Sequence, residues 1–270
     1  MRAAVRRTVL GLHRSRHERR LLTGALDLGV TTFDTAYAYF QFRSHKTLAQ
    51  VAGDLLPKFS VSTKVGYFPD GHSLDPARLS TAVDEAVRDL GREPEWVLLH
   101  NPEHSAPAGD ALAEACGVLA DAAAAGRCGG WGVSTWDPRP LLGQVNTLPS
   151  PGVLMLRCGL LVGIDILDSA ELLATQWQPS SVWGMSPFGG STATPVWKTF
   201  DPRTFLREDD SATPVQAALR TAFELPVVDA VAVGTDDLGH LKESASCLTY
   251  EVDHTMVRQY RDLLRSRQAD

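Results

Sequence analysis

Phe33-Asp34-Thr35-Ala36-Tyr37-Ala38-Tyr39 is the stretch on which the reading of this chain turns. It follows Gly29-Val30-Thr31-Thr32, so an apolar run opened by a glycine ends on an acid, with a phenol shortly after. Short apolar runs bounded by turn residues read as buried strands. Two other runs end in the same manner: Ser62-Thr63-Lys64-Val65-Gly66 and Val97-Leu98-Leu99-His100-Asn101-Pro102. Each brings one titratable side chain, Lys64 or His100, to a strand end. Lysine is rarely buried unpaired, so Lys64 inside an apolar run calls for an acid close by.

Outward from these runs the chain alternates short apolar segments with amphipathic helical ones, the pattern of parallel βα units. Strands are expected at Thr8–Leu12, Val30–Ala36, Phe59–Gly66, Glu95–His100, Gly130–Thr135, Gly152–Cys158, Ser181–Ser186 and Val228–Gly234. Helices are expected between them, among them Glu18–Leu28, Ser44–Leu55 with Ser44 as N-cap, Asp110–Gly126, Ile166–Trp177 and Asp236–Ala245, and a last one over His254–Arg267. Eight strand–helix units in 270 residues predict an α/β fold, a (β/α)8 TIM barrel, as a single domain over residues 1–270. The Gly/Ser/Thr/Pro-rich stretch from Gly189 to about Ser211 is long for a plain connection and reads as a lid or binding loop.

Composition narrows the function classes. The net charge of −6 and the lack of a basic stripe argue against a nucleic-acid partner. The basic start, Met1 to Arg7, is not followed by the apolar run of a signal peptide, and no stretch approaches the ~20 apolar residues of a membrane span. A cytoplasmic protein without membrane contact is expected. The cysteines, Cys116, Cys128, Cys158 and Cys247, are scattered without metal-ligand spacing, which predicts free thiols and no metal.

In a barrel the carboxyl ends of the strands converge on one mouth. Asp34, Lys64 and His100 would meet there, with Tyr39 just beyond. A free tyrosine has a pKa of about 10, and a nearby ammonium stabilises its phenolate. Asp34 would hold Lys64 charged, and Tyr39 would then exchange a proton as a general acid or base. Singly, each residue has a plainer reading: a loop cap for Asp34, packing for Tyr39, a structural histidine for His100. Joint placement at three strand ends favours a site.

The same residues carry a family resemblance. Leu28-Gly29-Val30-Thr31-Thr32-Phe33-Asp34-Thr35-Ala36, with Tyr39 beyond it, resembles the aldo-keto reductase signature. Thr63-Lys64-Val65-Gly66 and Leu98-Leu99-His100-Asn101-Pro102 are similar to the family's lysine and histidine strands. Gly132-Val133-Ser134-Thr135-Trp136, Ser186-Pro187-Phe188-Gly189 and Val233-Gly234-Thr235 resemble later family motifs. The resemblance implies a TIM barrel whose N-terminal hairpin plug is reduced or absent. It implies the catalytic tetrad Asp34, Tyr39, Lys64 and His100, a small carbonyl or alcohol substrate, and NADP(H) as cofactor, with NAD(H) as the alternative. The cofactor residues it implies are Ser134, Thr135, Met155, Met185, Ser186, Phe188, Gly234, Thr235, Asp236, His240 and Lys242.

Several of these depart from the family pattern. Thr135 stands for an asparagine, Met155 for a glutamine and Met185 for an aromatic residue, and Asp236 and Asp237 stand where cations are usual. Two readings besides the reductase stay open: a non-redox dehydratase, epimerase or cyclase using the tetrad for proton transfer, and a binding or regulatory protein on the same barrel. Phe40, Tyr67, Trp136 and Arg157 are the expected substrate-pocket residues. Arg157, two residues after Met155 on one strand, shares its face by alternation, and is expected to bind a substrate carboxylate or phosphate or to form a salt bridge.

Overall fold

The computed structural model of the protein describes residues 6–105, 110–143, 150–207 and 211–269. Eight parallel strands close a barrel in sequence order: β1 (Arg7–Gly11), β2 (Thr32–Asp34), β3 (Ser60–Val65), β4 (Trp96–His100), β5 (Gly130–Thr135), β6 (Val153–Arg157), β7 (Ser181–Met185) and β8 (Ala230–Gly234). The register Gly11↔Gly234 joins β1 to β8, and Gly11↔Asp34 joins it to β2. The (β/α)8 expectation is met.

The helices around the barrel are α1 (Arg19–Asp27), α2 (Ser44–Ala52), α3 (Pro76–Leu90), α4 (Ala111–Ala124), α5 (Ile164–Trp177), α6 (Pro214–Ala222), α7 (Leu238–Ala245) and α8 (His254–Ala269). The local chemistry of α3 shows why they form where they do. Asp75 accepts the Arg78 N–H at 2.8 Å as N-cap, Pro76 opens the first turn, and Gly91 closes the helix at φ 71°. Leu79, Ala82, Val83, Ala86 and Leu90 form its buried stripe. Between β5 and β6 the described residues hold only a 3-10 turn, Arg139–Leu141.

Two local expectations are corrected. Ser44 is not an N-cap; α2 begins at Ser44, whose hydroxyl is buried against His17 Nε2 and the Thr35 hydroxyl, both at 2.6 Å. Asp236 lies outside α7, and Asp237 caps that helix by accepting the His240 N–H at 3.0 Å. The long loop after β7 forms two 3-10 turns, Pro195–Lys198 and Pro202–Phe205, and its residues 208–210 lie outside the described residues.

The barrel interior is filled by Val9, Leu98, Val153, Met155, Trp183, Ala230 and Ala232. β1 is already a barrel strand, and no hairpin precedes it among the described residues. Bulky side chains fill the lower barrel. The Arg7 guanidinium lies 5.3 Å from the Trp183 ring centroid. Trp96 occupies the space where a Cβ on Gly130 or Gly152 would come within 2.5 or 2.4 Å of its ring. The core is thus closed at one end and open at the other, at the carboxyl ends of the strands. Among the described residues no helix is long and apolar enough to cross a membrane, and no group of three or more His, Cys, Asp or Glu side chains is placed to hold a metal.

Candidate active site

A cavity of about 610 Å³ opens at the carboxyl ends, and Asp34, Tyr39, Lys64 and His100 all line it. Backbone pairing explains the convergence. Asp34 ends β2, Lys64 is the penultimate residue of β3, and His100 ends β4. Beyond β2 the chain stays stitched to β3: Thr35 N–H donates to Ser62 O at 2.8 Å and Tyr37 N–H to Lys64 O at 2.9 Å. A turn closed by Tyr39 N–H on Ala36 O at 3.0 Å then brings the Tyr39 phenol back over Lys64.

Lys64 is fully enclosed at 2 % exposure, and its ammonium spends its three donors on three oxygens. It bonds the Asp34 carboxylate, Thr35 O at 2.9 Å and the Tyr39 hydroxyl at 3.3 Å. The Ser62 hydroxyl donates to the other Asp34 oxygen at 3.1 Å. Burial pushes the Lys64 pKa down, but Asp34 and Tyr39 outweigh it and the net shift is upward. Burial also pushes the Asp34 carboxyl up, against the pull of Lys64 and Ser62. For Tyr39, burial raises the pKa and the Lys64 charge lowers it, with burial the stronger. The lysine therefore acts in the expected direction, while enclosure in a poorly solvated wall disfavours the phenolate.

His100 is buried, and burial, then the Lys64 charge, hold its pKa well below the usual histidine value. The ring is thus neutral, and its Nδ1 is enclosed with no hydrogen-bond partner. Tyr39 and Tyr67 flank it edge-on, with ring centroids at 5.9 and 4.8 Å. The Tyr67 hydroxyl bonds His104 Nδ1 at 2.5 Å.

Of the other expected site residues, Tyr67, Trp136, Met155, Met185, Ser186, Phe188, Gly234, Thr235 and Asp236 line the cavity. Phe40 does not; it packs on His17 at 4.9 Å, outside the cavity wall, because Phe40, Gln41 and Phe42 all take left-handed φ angles of 51°, 57° and 61°. Thr135 is turned into the wall, its hydroxyl donating to Asp137 O at 2.9 Å, and the Ser134 hydroxyl rests 3.8 Å from the Met185 sulfur. Neither lines the cavity, nor do His240 and Lys242 on α7. Arg157 lies behind Trp136, its guanidinium 4.8 Å from that ring centroid, so the expectation of an arginine facing the same space as Met155 is not met.

Sequence reasoning passed over the loop after β1. His13, Arg14 and Ser15 line the cavity, with the His13 ring 5.1 Å from Tyr39. Ser15 donates to Asp236 at 2.7 Å, and Arg16 N–H donates to the same carboxylate at 3.1 Å. A charged cluster directly after the first apolar run was the available signal. Asn101 also lines the cavity, and its Oδ1 is buried without a partner.

The wall suits a nucleotide cofactor. Buried polar atoms without partners lie on His100, whose ring centroid is 5.9 Å from that of Tyr39, and on Asn101. Opposite them the paired glycines Gly11 and Gly234 leave bare backbone, and a Cβ on Gly11 would come within 3.3 Å of Val233. Met155, Met185, Phe188 and Trp136 supply apolar surface for a planar ring.

Residues 13–142 match the model of the aldo/keto reductase family. Comparison with curated proteins gave no match. Among solved structures, the chain is similar to a holo-form aldo-keto reductase from Bacillus halodurans, with 19% identity and a TM-score of 0.76 over 96% of this chain and 92% of that one. It is similar to an aldo-keto reductase from Klebsiella pneumoniae in complex with NADPH, with 18% identity and a TM-score of 0.75 over 97% and 92%. A glycerol dehydrogenase from Gluconobacter oxydans superposes with a TM-score of 0.73 at 16% identity over 98% and 93%. The sequence resemblance to the aldo-keto reductases thus holds over the first half of the chain, and the shared fold extends over nearly all of it.

Proposed function

We propose, from the likeness of residues 13–142 to the aldo-keto reductases, that the protein is an NAD(P)H-dependent oxidoreductase reducing an aldehyde or ketone to an alcohol. The observation that carries this reading is the contact of the Lys64 ammonium with both Asp34 and Tyr39 in one cavity beside neutral His100.

When bound, a reduced nicotinamide supplies the hydride to the carbonyl carbon. As negative charge builds on the carbonyl oxygen, Tyr39 gives it the phenolic proton. The raised Tyr39 pKa keeps that proton in place until the charge develops, and Lys64 stabilises the phenolate left behind. Asp34 holds Lys64 in position. His100, neutral, donates to the same carbonyl oxygen and orients it. In the reverse direction Tyr39 phenolate is the base. NADP(H) is the proposed coenzyme and NAD(H) its alternative. The apolar faces of Trp136, Phe188 and the two methionines favour an organic carbonyl over a short sugar.

One observation favours a second reading, a non-redox proton-transfer enzyme: Ser134 and Thr135 keep their hydroxyls off the cavity wall. Titration of the protein with NADPH and NADH, followed by tryptophan fluorescence, separates the two. Micromolar binding of either coenzyme supports the reductase. No binding of either at millimolar concentration contradicts it.

A further inference from the structure

Behind the cavity wall lies a buried titratable side chain that the proton transfer to substrate does not use. His17 is 2 % exposed. Its Nδ1 lies 2.8 Å from Ser15 O, and its Nε2 lies 2.6 Å from the Ser44 hydroxyl. A carbonyl oxygen only accepts, so Nδ1 carries the proton. Burial lowers the His17 pKa and keeps the ring neutral, which leaves Nε2 a bare acceptor. The Ser44 hydroxyl must then donate to Nε2, and the Thr35 hydroxyl, 2.6 Å from Ser44, must donate to Ser44. Every proton in the chain Thr35–Ser44–His17–Ser15 points one way, and all four residues are buried. A cationic ring would reverse the chain and leave the buried Thr35 hydroxyl with no acceptor among the described residues.

From His17 two routes lead to the proton-transfer pair. Through Ser44 it holds Thr35, whose carbonyl takes one of the three Lys64 N–H bonds at 2.9 Å. Against its ring packs Phe40, with centroids 4.9 Å apart and planes at 34°, and Phe40 directly follows Tyr39. Phe40, Gln41 and Phe42 take left-handed φ angles, and so does His17 itself at 57°. Such angles are uncommon in residues with a side chain and persist where surrounding contacts over-determine them. The stack on His17 and its hydrogen bonds are contacts of that kind.

We propose that His17 is a positioning residue for the proton transfer, placing Tyr39 through Phe40 and Lys64 through Ser44 and Thr35. This rests on the reductase reading. His17 does not line the cavity, so it acts only through these neighbours. Lys64 gives its other two donors to Asp34 and Tyr39, and a drift of Thr35 O therefore disturbs all three contacts. The far end of the chain is anchored as well, since the Ser15 hydroxyl donates to Asp236 at 2.7 Å.

The test breaks the chain away from the reacting groups. Turnover of a panel of aromatic aldehydes with NADPH and with NADH is measured for wild type, Ser44→Ala, His17→Asn and the double variant, and each coenzyme is titrated by tryptophan fluorescence. Asparagine tolerates left-handed φ, and circular dichroism of each variant checks the fold. Each single substitution is expected to lower kcat by about 10-fold or more, with KM and coenzyme affinity within about 2-fold of wild type. The double variant is expected to lose no more than His17→Asn alone, which already breaks both routes. Imidazole nitrogen NMR of wild type, assigned against His17→Asn, is expected to show His17 neutral with its proton on Nδ1 at neutral pH. Wild-type kcat in Ser44→Ala overturns the proposal. So do additive losses in the double variant, a loss of coenzyme affinity that matches the loss of kcat, or a His17 proton on Nε2. Wild type without coenzyme-dependent turnover overturns the reductase reading and this inference with it.

Discussion

The Lys64 ammonium touches the Tyr39 hydroxyl at 3.3 Å while bonding Asp34 behind it, so one buried cation serves both the fold and the candidate acid. Removing its charge strands Asp34, itself only 4 % exposed. Lys64→Met is therefore expected to cost about 3–5 kcal/mol in urea unfolding. Adding Asp34→Asn to Lys64→Met should recover much of that cost, since no buried charge is then left unpaired. Purely additive losses in the double variant would contradict the pairing.

His45 sets a pH dependence of stability. It is 4 % exposed, bonds the Thr63 hydroxyl at 2.7 Å, and burial lowers its pKa from 6.5 to about 4. Above pH 6.5 the ring is neutral in both states, and its contribution is fully present. As pH falls toward 4, the unfolded chain takes up a proton that the folded one refuses, and stability drops. The loss at the lower end is up to about 3 kcal/mol from this group. Unfolding measured at pH 7 and pH 4.5 should show the drop, and His45→Gln should make it smaller. An equal drop in the variant would assign the effect to other groups.

Two glycines are expected to respond in opposite directions. At Gly132 in β5 an added Cβ would lie 2.2 Å from the Val153 carbonyl oxygen and 2.8 Å from the Leu98 side chain. Gly132→Ala should destabilise by about 1–3 kcal/mol or more. Gly117 lies within α4 with nothing within 4 Å of an added Cβ. Gly117→Ala should stabilise by about 0.5–1 kcal/mol. Thermal unfolding of the two variants checks both signs.

Much of the barrel was legible because its strands are short apolar runs ending in turn residues, and the convergence of Asp34, Lys64 and His100 followed from topology. The misread residues are those whose direction depends on tertiary detail. Phe40 leaves the cavity because three successive residues adopt left-handed angles, which periodicity does not encode. Ser44 looked like a helix cap but is claimed by a buried chain to His17 and Thr35, which only the fold brings to it. Arg157 is still paired with Met185 in the sheet, yet its side chain stacks on Trp136 and stays out of the cavity lining, a placement that alternation alone does not encode. The loop carrying His13 and Arg14 is brought to Asp236 by closure of β1 against β8, a relationship that local sequence does not encode.

The most direct test of the central claim is turnover by Tyr39→Phe, measured as carbonyl-dependent oxidation of NADPH or NADH over a panel of aromatic aldehydes and ketones. Removing one hydroxyl should leave coenzyme binding as in wild type and lower turnover by about 100-fold or more. Turnover by Tyr39→Phe equal to wild type would contradict Tyr39 as the acid. Conversion of substrate by wild type without any coenzyme would contradict the reductase and favour proton transfer alone.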